Sequence, residues 1–184
     1  MSNLIKLIIT IGTVMMLNVF LSGCSNKVSL YKDFQPRLSL ETFLNGDIVG
    51  SGFIEDWRGR VTQQFDFSGN ATWGDGICTF KEEMHYYNGK IDHRIWTIKK
   101  INDHYYEGRT SDVIGVAKIF IEGNAMNWKY KMDVKVNHSI YRLSFDDWMY
   151  LMNNNVLINQ NSFKKFGITV GSLTLVMNKK SVDA

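Results

Sequence analysis

The side chains that could perform chemistry in this sequence form no recognisable catalytic or metal-binding motif. The histidines His85, His93, His104 and His138 are scattered, and none lies at a metal-ligand spacing from a cysteine or from a second histidine. Ser51 lies between two glycines but lacks the wider motif that surrounds a nucleophilic serine. We therefore assign no catalytic residue, metal or cofactor, and the sequence does not favour an enzyme.

Charged residues that fall among aromatic ones are the better candidates for a site. Six residues form this group: Arg94, Trp96, Asp112, Trp128, Asp146 and Trp148. A charge on an apolar strand face is costly unless it is paired. In one interpretation, Arg94 pairs with Asp112 or Asp146 as a structural bridge. In the other, the guanidinium and an aspartate orient the polar head of an amphipathic ligand, while the three tryptophans line an apolar pocket.

Strands, rather than helices, must position these residues. From Asp47 onward the dominant hydrophobic period is two, which is typical of half-buried antiparallel strands. The alternation is clearest between Ala125 and Val136, where one face carries Met126, Trp128, Tyr130, Met132, Val134 and Val136. Because neighbouring strand residues point to opposite faces, Asp146 and Asp147 cannot form a carboxylate pair by themselves.

Asparagine and glycine pairs separate the predicted strands, since both residues tolerate the positive φ of tight hairpin turns. These pairs are Gly69-Asn70, Asn88-Gly89, Asn102-Asp103, Gly123-Asn124, Asn137-His138 and Asn153-Asn154. Consecutive hairpins predict an all-β antiparallel meander of about eight to ten strands, and closure into a barrel would remove its two edges. Gly50 and Gly52 fit the first strand. One short helix is predicted around Asn161 to Phe166, before a final strand through Met177.

The first residues predict export and lipid attachment. Lys6 precedes an apolar run from Leu7 to Leu21, the pattern of a secretory signal peptide. The following Leu21-Ser22-Gly23-Cys24 resembles the bacterial lipobox, in which the cysteine receives a lipid before cleavage. We expect a signal peptide over 1–23, a lipidated N-terminus and tether over 24–38, and one β-barrel domain over 39–184.

Composition and sorting signals narrow the location and the partners. Ser25 after the lipidated cysteine favours export to the periplasmic face of the outer membrane. The formal charge of +3 is spread without basic runs, which argues against nucleic acid as a partner. We expect a monomer that is attached to the membrane through Cys24, with Cys78 as a buried core thiol.

Several segments together resemble an uncharacterised family of bacterial lipoproteins, the domain of unknown function 3833. They are Asn45-Gly46, Gly50-Ser51-Gly52-Phe53, Arg94-Ile95-Trp96, Ser111 to Gly115, Gly123 to Trp128, Phe145 to Tyr150 and Lys165-Phe166-Gly167. The resemblance implies a single domain and an envelope location, and it brings no activity. By analogy the barrel is lipocalin-like, although a fold does not imply a function.

These observations favour a binding module that holds a lipid or another small amphipathic molecule inside the barrel. Two alternatives stay open. One is a structural or assembly lipoprotein, whose filled barrel presents a surface to an envelope protein. The other is a periplasmic hydrolase. A cavity inside the barrel separates the first function from the second, and a cluster of nucleophile, base and orienting acid would favour the third.

Overall fold

The computed structural model of the chain describes residues 26–136 and 138–180. The predicted signal peptide over 1–23, Cys24, Ser25 and Asn137 lie outside the described residues. Ten strands make up the fold: β1 (Gly46–Asp56), β2 (Val61–Gly74), β3 (Ile77–Tyr86), β4 (Ile91–Asn102), β5 (Tyr105–Arg109), β6 (Ala117–Glu122), β7 (Ala125–Val136), β8 (Ser139–Asn153), β9 (Val156–Lys165) and β10 (Ile168–Lys179).

The strands form one antiparallel meander that closes into a barrel. Each strand pairs with its neighbours in the chain, and β1 completes the ring by pairing with β10, with Ser51 opposite Val176. Every described strand pairs on both sides for at least part of its length, although residues 91–96 of β4 and 130–136 of β7 extend beyond the short β5 and β6. The predicted all-β, lipocalin-like barrel of eight to ten strands is therefore confirmed.

The hairpin turns follow the predicted chemistry at most positions, with one exception. Asn88-Gly89 and Gly123-Asn124 do connect strands, and both glycines have positive φ. The turn predicted at Gly69-Asn70 is wrong, because both residues lie within β2. Gly69 faces the barrel interior, where a Cβ atom would lie 2.6 Å from the ring of Phe80. This glycine makes room for an aromatic ring and does not reverse the chain.

The short helix predicted around Asn161 to Phe166 is also wrong. Residues through Lys165 continue β9, and Phe166 and Gly167 form the turn into β10, both with positive φ. Residues Leu157, Asn159, Asn161 and Phe163 alternate toward the interior. Because Asn159 and Asn161 are polar, the alternation of apolar and polar residues that identifies a strand is not visible in the sequence here.

A short helix instead covers one end of the barrel. The helix α1 (Leu40–Phe43) begins after Ser39, whose side chain accepts a hydrogen bond from the amide of Thr42. Leu40, Phe43 and the following Leu44 are buried and belong to the main core. We call this the helix-covered end. The turns after β1, β3 and β9 lie at the opposite end.

The residues before α1 lie against the outside of the barrel. A single 3-10 turn (Val28–Tyr31) places the ring of Tyr31 5.4 Å from that of Tyr150 and 6.0 Å from that of Trp148. Farther along, the amide of Leu38 donates to the carbonyl of Gly123 at 2.7 Å. Residues 26–38 are therefore attached to the barrel near its helix-covered end. In the described part of the chain, no helix is long and apolar enough to span a bilayer.

Candidate functional site

A layer of polar side chains lies in the middle of the barrel interior. The strand register places Glu82 of β3 opposite Arg94 of β4, and Asp147 of β8 opposite Asn161 of β9. All four positions follow the inward alternation of otherwise apolar strands. The layer is completed by inward-facing Tyr130 and Asn159. We call these six residues the polar layer.

Arg94 is held by carboxylates on two sides. Its Nη2 and Nε atoms donate to Oδ2 of Asp112 at 2.9 and 3.3 Å, and its Nη1 lies 4.0 Å from Oε2 of Glu82. The indole of Trp96 donates to that same Glu82 oxygen at 3.2 Å. Of the two partners predicted for Arg94, Asp112 is confirmed. The guanidinium is thus already neutralised within the barrel.

Asp147 is fully enclosed and bound by two amides. The Nδ2 atoms of Asn159 and Asn161 both donate to its carboxylate, the second at 3.0 Å. Burial nevertheless raises the pKa of Asp147 to about 7, and the nearby carboxylate of Glu82 adds to the rise. Burial also raises the pKa of Glu82 to about 7, although Arg94 and the Trp96 indole act against it. Both acids therefore titrate near neutral pH.

The polar layer borders a cavity of about 90 Å³. A cavity needs only roughly 10–15 Å³ to hold one water molecule, so this space has room for several waters or for part of a small ligand. Its apolar wall includes four methionines, whose unbranched side chains adapt to differently shaped contents. These are Met84, Met126, Met149 and Met177.

Two polar atoms of residues that line this cavity have no hydrogen-bond partner. They are the donor Nε1 of Trp128 and the acceptor Oδ1 of Asn161. Trp128 is only 3% exposed, and its ring packs 4.6 Å from that of Trp96. Leaving a buried polar atom unpaired costs about 1–3 kcal/mol. A molecule in the cavity that both accepts and donates a hydrogen bond would remove this cost.

Aromatic rings cover the polar layer on the side away from α1. The rings of Tyr130 and Phe145 stack in parallel with centroids 4.8 Å apart, and Phe163 lies 5.1 Å from Phe145. Across the barrel, Phe65 packs against Tyr86 at 5.7 Å. The polar layer therefore lies between these rings and the helix-covered end, with Asp147, Asn159 and Asn161 buried and Arg94 and Glu82 partly exposed.

The structure brings together four of the six candidate residues predicted from the sequence. Arg94, Trp96 and Trp128 line the cavity, and Asp112 binds Arg94 from the loop between β5 and β6. As proposed ligand contacts, these four residues stay a prediction.

The structure places Asp146 and Trp148 apart from this group, because both side chains point outward from β8. Asp146 accepts hydrogen bonds from Lys164 at 3.2 Å and Asn127 at 2.9 Å. Trp148 stacks on Tyr150 on the outer face. The pleat of β8 turns the intervening Asp147 inward instead.

Sequence reasoning missed the greater part of the polar layer. Asp147 lies between inward-facing Phe145 and Met149, and Glu82 lies between inward-facing Phe80 and Met84. In both strands the sequence shows a polar residue at an inward position between two apolar ones, which is the pattern that could have identified them. The same pattern at Asn161 was overlooked because a helix was predicted there.

The histidines and the described cysteine do not add a second site. His85 and His93 both lie within 3.2 Å of Glu83 at the surface, and His104 lies 3.2 Å from Glu122. Cys78 is a fully buried core residue, and burial raises the pKa of its thiol to about 11. Among residues 26–136 and 138–180, no group of His, Cys, Asp and Glu side chains is arranged to hold a metal ion.

Comparison with known proteins adds a fold and a family. Three solved structures superimpose with a TM-score of 0.59 each. Rv2717c from M. tuberculosis is 12% identical, with 81% of this chain and all of that chain covered. The S-type phycobiliprotein lyase from Guillardia theta is 7% identical, with 86% of this chain and all of that chain covered. At these identities the likeness shows the fold alone.

The third structure is a protein of unknown function from the DUF3598 family of Nostoc punctiforme. It is 14% identical over 80% of this chain, which spans only 51% of the Nostoc protein. None of the curated proteins matches the chain. The model of one family, described as "Protein of unknown function (DUF3833)", matches residues 18–179.

Proposed function

The chain belongs to the DUF3833 family, and we propose that its barrel binds a small amphipathic molecule in the interior cavity while a lipid on Cys24 anchors the protein in the cell envelope. The observation that carries this proposal is the cavity itself. It joins an adaptable apolar wall to unpaired polar atoms at Trp128 and Asn161. An amphipathic molecule matches both properties.

The packing also argues against the alternative in which side chains fill the barrel interior and leave no space for a ligand. Polar groups retained in a dry core are normally satisfied by one another. Here Trp128 and Asn161 each keep one unpaired atom although they lie among hydrogen-bonded neighbours. A hydroxyl group in the cavity could accept from the indole and donate to the amide oxygen. Neither atom would then carry the cost of burial without a partner.

Quenching of tryptophan fluorescence tests the binding proposal. We expect 6-bromo-1-hexanol to quench the full-length protein in phospholipid nanodiscs saturably, because Trp96 and Trp128 line the cavity and bromine quenches on contact. Leu175→Phe fills the cavity from β10 and should weaken binding by about tenfold or more, since an overpacked site must expand to admit the probe.

Val176→Phe provides the matched control. This residue is next in β10 but faces outward and is partly exposed, so the cavity should bind the probe as before. Empty nanodiscs correct for partition of the probe into lipid. Quenching that rises linearly without saturation, or that is equal in both variants, would contradict the binding module and leave the assembly alternative.

The proposed anchor depends on Cys24 in the Leu21-Ser22-Gly23-Cys24 segment, which follows an apolar run. Cells fed a labelled fatty acid should label the wild type, whereas Cys24→Ala should lose the label and accumulate as precursor. Cys78→Ala is the control, because that thiol is buried in the barrel core. A labelled Cys24→Ala protein would end the lipoprotein proposal. Separation of the membranes on a density gradient tests the outer-membrane location that Ser25 suggests.

A further inference from the structure

We infer that the polar layer selects a ligand with a positively charged amine, so that the molecule in the cavity is an amphipathic amine rather than a fatty acid or another anion. This inference rests on the proposed binding function and specifies the chemical class of its ligand. A free guanidinium would favour a carboxylate or a phosphate instead, but Arg94 is already paired with Asp112.

The balance of charge in the interior supports this inference. Glu82 and Asp147 face the cavity, and Arg94 is the only guanidinium or ammonium group among the described residues that line it. Asp112 already neutralises that guanidinium at 2.9 Å, and Glu82 lies 4.0 Å from its Nη1. Three carboxyl groups therefore share one cation. An incoming carboxylate or phosphate would meet an excess of acid, whereas an ammonium group would reduce it.

The charged and polar groups around the two acids come from β4, β7, β8, β9 and the loop after β5. Arg94 faces them from β4, Asp112 from the loop after β5, and Tyr130 from β7, while Asp146 adds a carboxylate from the outer side of β8. The amides of Asn159 and Asn161 approach from β9. The cavity wall contributed by β2 and β10 is apolar, with Phe67, Leu173, Leu175 and Met177. No second cation therefore faces Glu82 and Asp147 from the described wall.

An unpaired acceptor supports the same choice independently of the charge. Asn161 is only 6% exposed, and its Oδ1 has no donor, although its Nδ2 binds both Asp147 and the hydroxyl of Tyr130. An ammonium group has three N–H donors and no acceptor. It therefore has enough donors for Glu82, Asp147 and this amide oxygen, which line the same cavity. The adjacent rings of Trp96 and Trp128 add aromatic faces, which attract cations.

The pKa values of Glu82 and Asp147 predict that the binding of an amine depends on pH. Each has a pKa of about 7, so both are largely protonated at pH 6 and largely ionised at pH 8. A primary amine stays protonated across this interval, with a pKa near 10. Attraction between the amine and the site should therefore grow as the pH rises from 6 to 8. A neutral alcohol should show little change.

Calorimetric titration of the full-length protein in nanodiscs with three probes of equal chain length tests the inference. At pH 8 we expect hexylamine to bind about 10- to 100-fold more tightly than hexanoate or 1-hexanol, the range that hydrogen bonds to charged groups contribute. The advantage should shrink at pH 6. Glu82→Gln and Asp147→Asn keep the shape of each side chain. Each should remove most of the preference for hexylamine.

Asp146→Asn is the matched control, because it removes a carboxylate next to Asp147 but on the outer face. It should retain the preference for hexylamine. If a buried variant fails to fold, the pH dependence of the wild type still decides the question. Binding of hexanoate or 1-hexanol at least as tight as that of hexylamine overturns the amine inference and leaves the binding function standing. If none of the three probes binds, both proposals fail.

Discussion

Trp128→Asp should leave the barrel unfolded or nearly so. The indole is buried between Trp96 and Tyr130, and its removal opens a large space in the core. Loss of a buried tryptophan alone typically costs about 3–5 kcal/mol. The new carboxylate would also lie opposite Asp147 in the register of β7 and β8, near Glu82, in an interior that already holds excess acid. Together these costs approach the whole stability of an ordinary domain, about 5–15 kcal/mol.

Trp57→Asp makes the same chemical change at the surface. Trp57 is 66% exposed in the turn after β1, so we expect a change within about 0.5 kcal/mol. Far-ultraviolet circular dichroism and urea unfolding of both variants in detergent solution would measure the difference. A Trp128→Asp protein with the spectrum and unfolding midpoint of the wild type would show that the β7 face is not part of the core.

Arg94→Met should destabilise the fold by about 1.5–3 kcal/mol, the range for a hydrogen bond to a charged group, because it removes the cation of an ionic group whose Arg94 and Asp112 side chains are only partly buried. Methionine keeps much of the length of the side chain but leaves Asp112 and Glu82 near each other without the guanidinium between them. The loss should be larger at pH 8 than at pH 5. Without Arg94 the pKa of Glu82 rises further, so the folded state is favoured when Glu82 is protonated and loses that advantage as the pH rises.

Arg142→Met is the comparison for this effect. Arg142 also binds an aspartate, Asp133, through two hydrogen bonds, but its side chain is 62% exposed, and such pairs contribute at most about 1 kcal/mol. Adding Glu82→Gln to Arg94→Met should recover part of the stability, because one uncompensated carboxylate is removed. Equal unfolding free energies for Arg94→Met and Arg142→Met would show that the interior charge network is not needed for stability.

The barrel could be predicted from the sequence because its strands repeat one simple pattern. Alternation such as that of Met126 and Trp128 identifies a buried face, and the Asn88-Gly89 turn connects consecutive strands. The prediction failed where a residue typical of turns has another role. Gly69 resembles a turn glycine, but it makes space for Phe80 within a strand. Its role depends on a ring eleven residues away, which local patterns do not reveal.

The candidate site was only partly predictable, because its acids were judged by their neighbours in sequence. Asp112 was one of two partners predicted for Arg94, and the other, Asp146, was chosen in place of Asp147. The choice between adjacent aspartates depends on the strand register, which decides which of them faces Asn161. A strict count along β8 from Phe145 to Met149 would have placed Asp147 inside. The cavity volume depends on packing across the barrel and has no local signature.

If Cys24 carries the proposed lipid, the attachment of residues 26–38 to the barrel limits how far the domain can lie from the membrane. A free linker of that length would allow a mean separation of roughly 20 Å. Asn26, however, is hydrogen-bonded to the hydroxyl of Tyr150 on the outside of β8, so only Ser25 lies between this contact and Cys24, a span of at most about 7 Å. With the proposed anchor in place, we expect the helix-covered end to be the part closest to the bilayer. Tyr141 lies nine residues from Tyr150, about 30 Å along β8 toward the opposite end, which would face the aqueous compartment and exchange ligand from there.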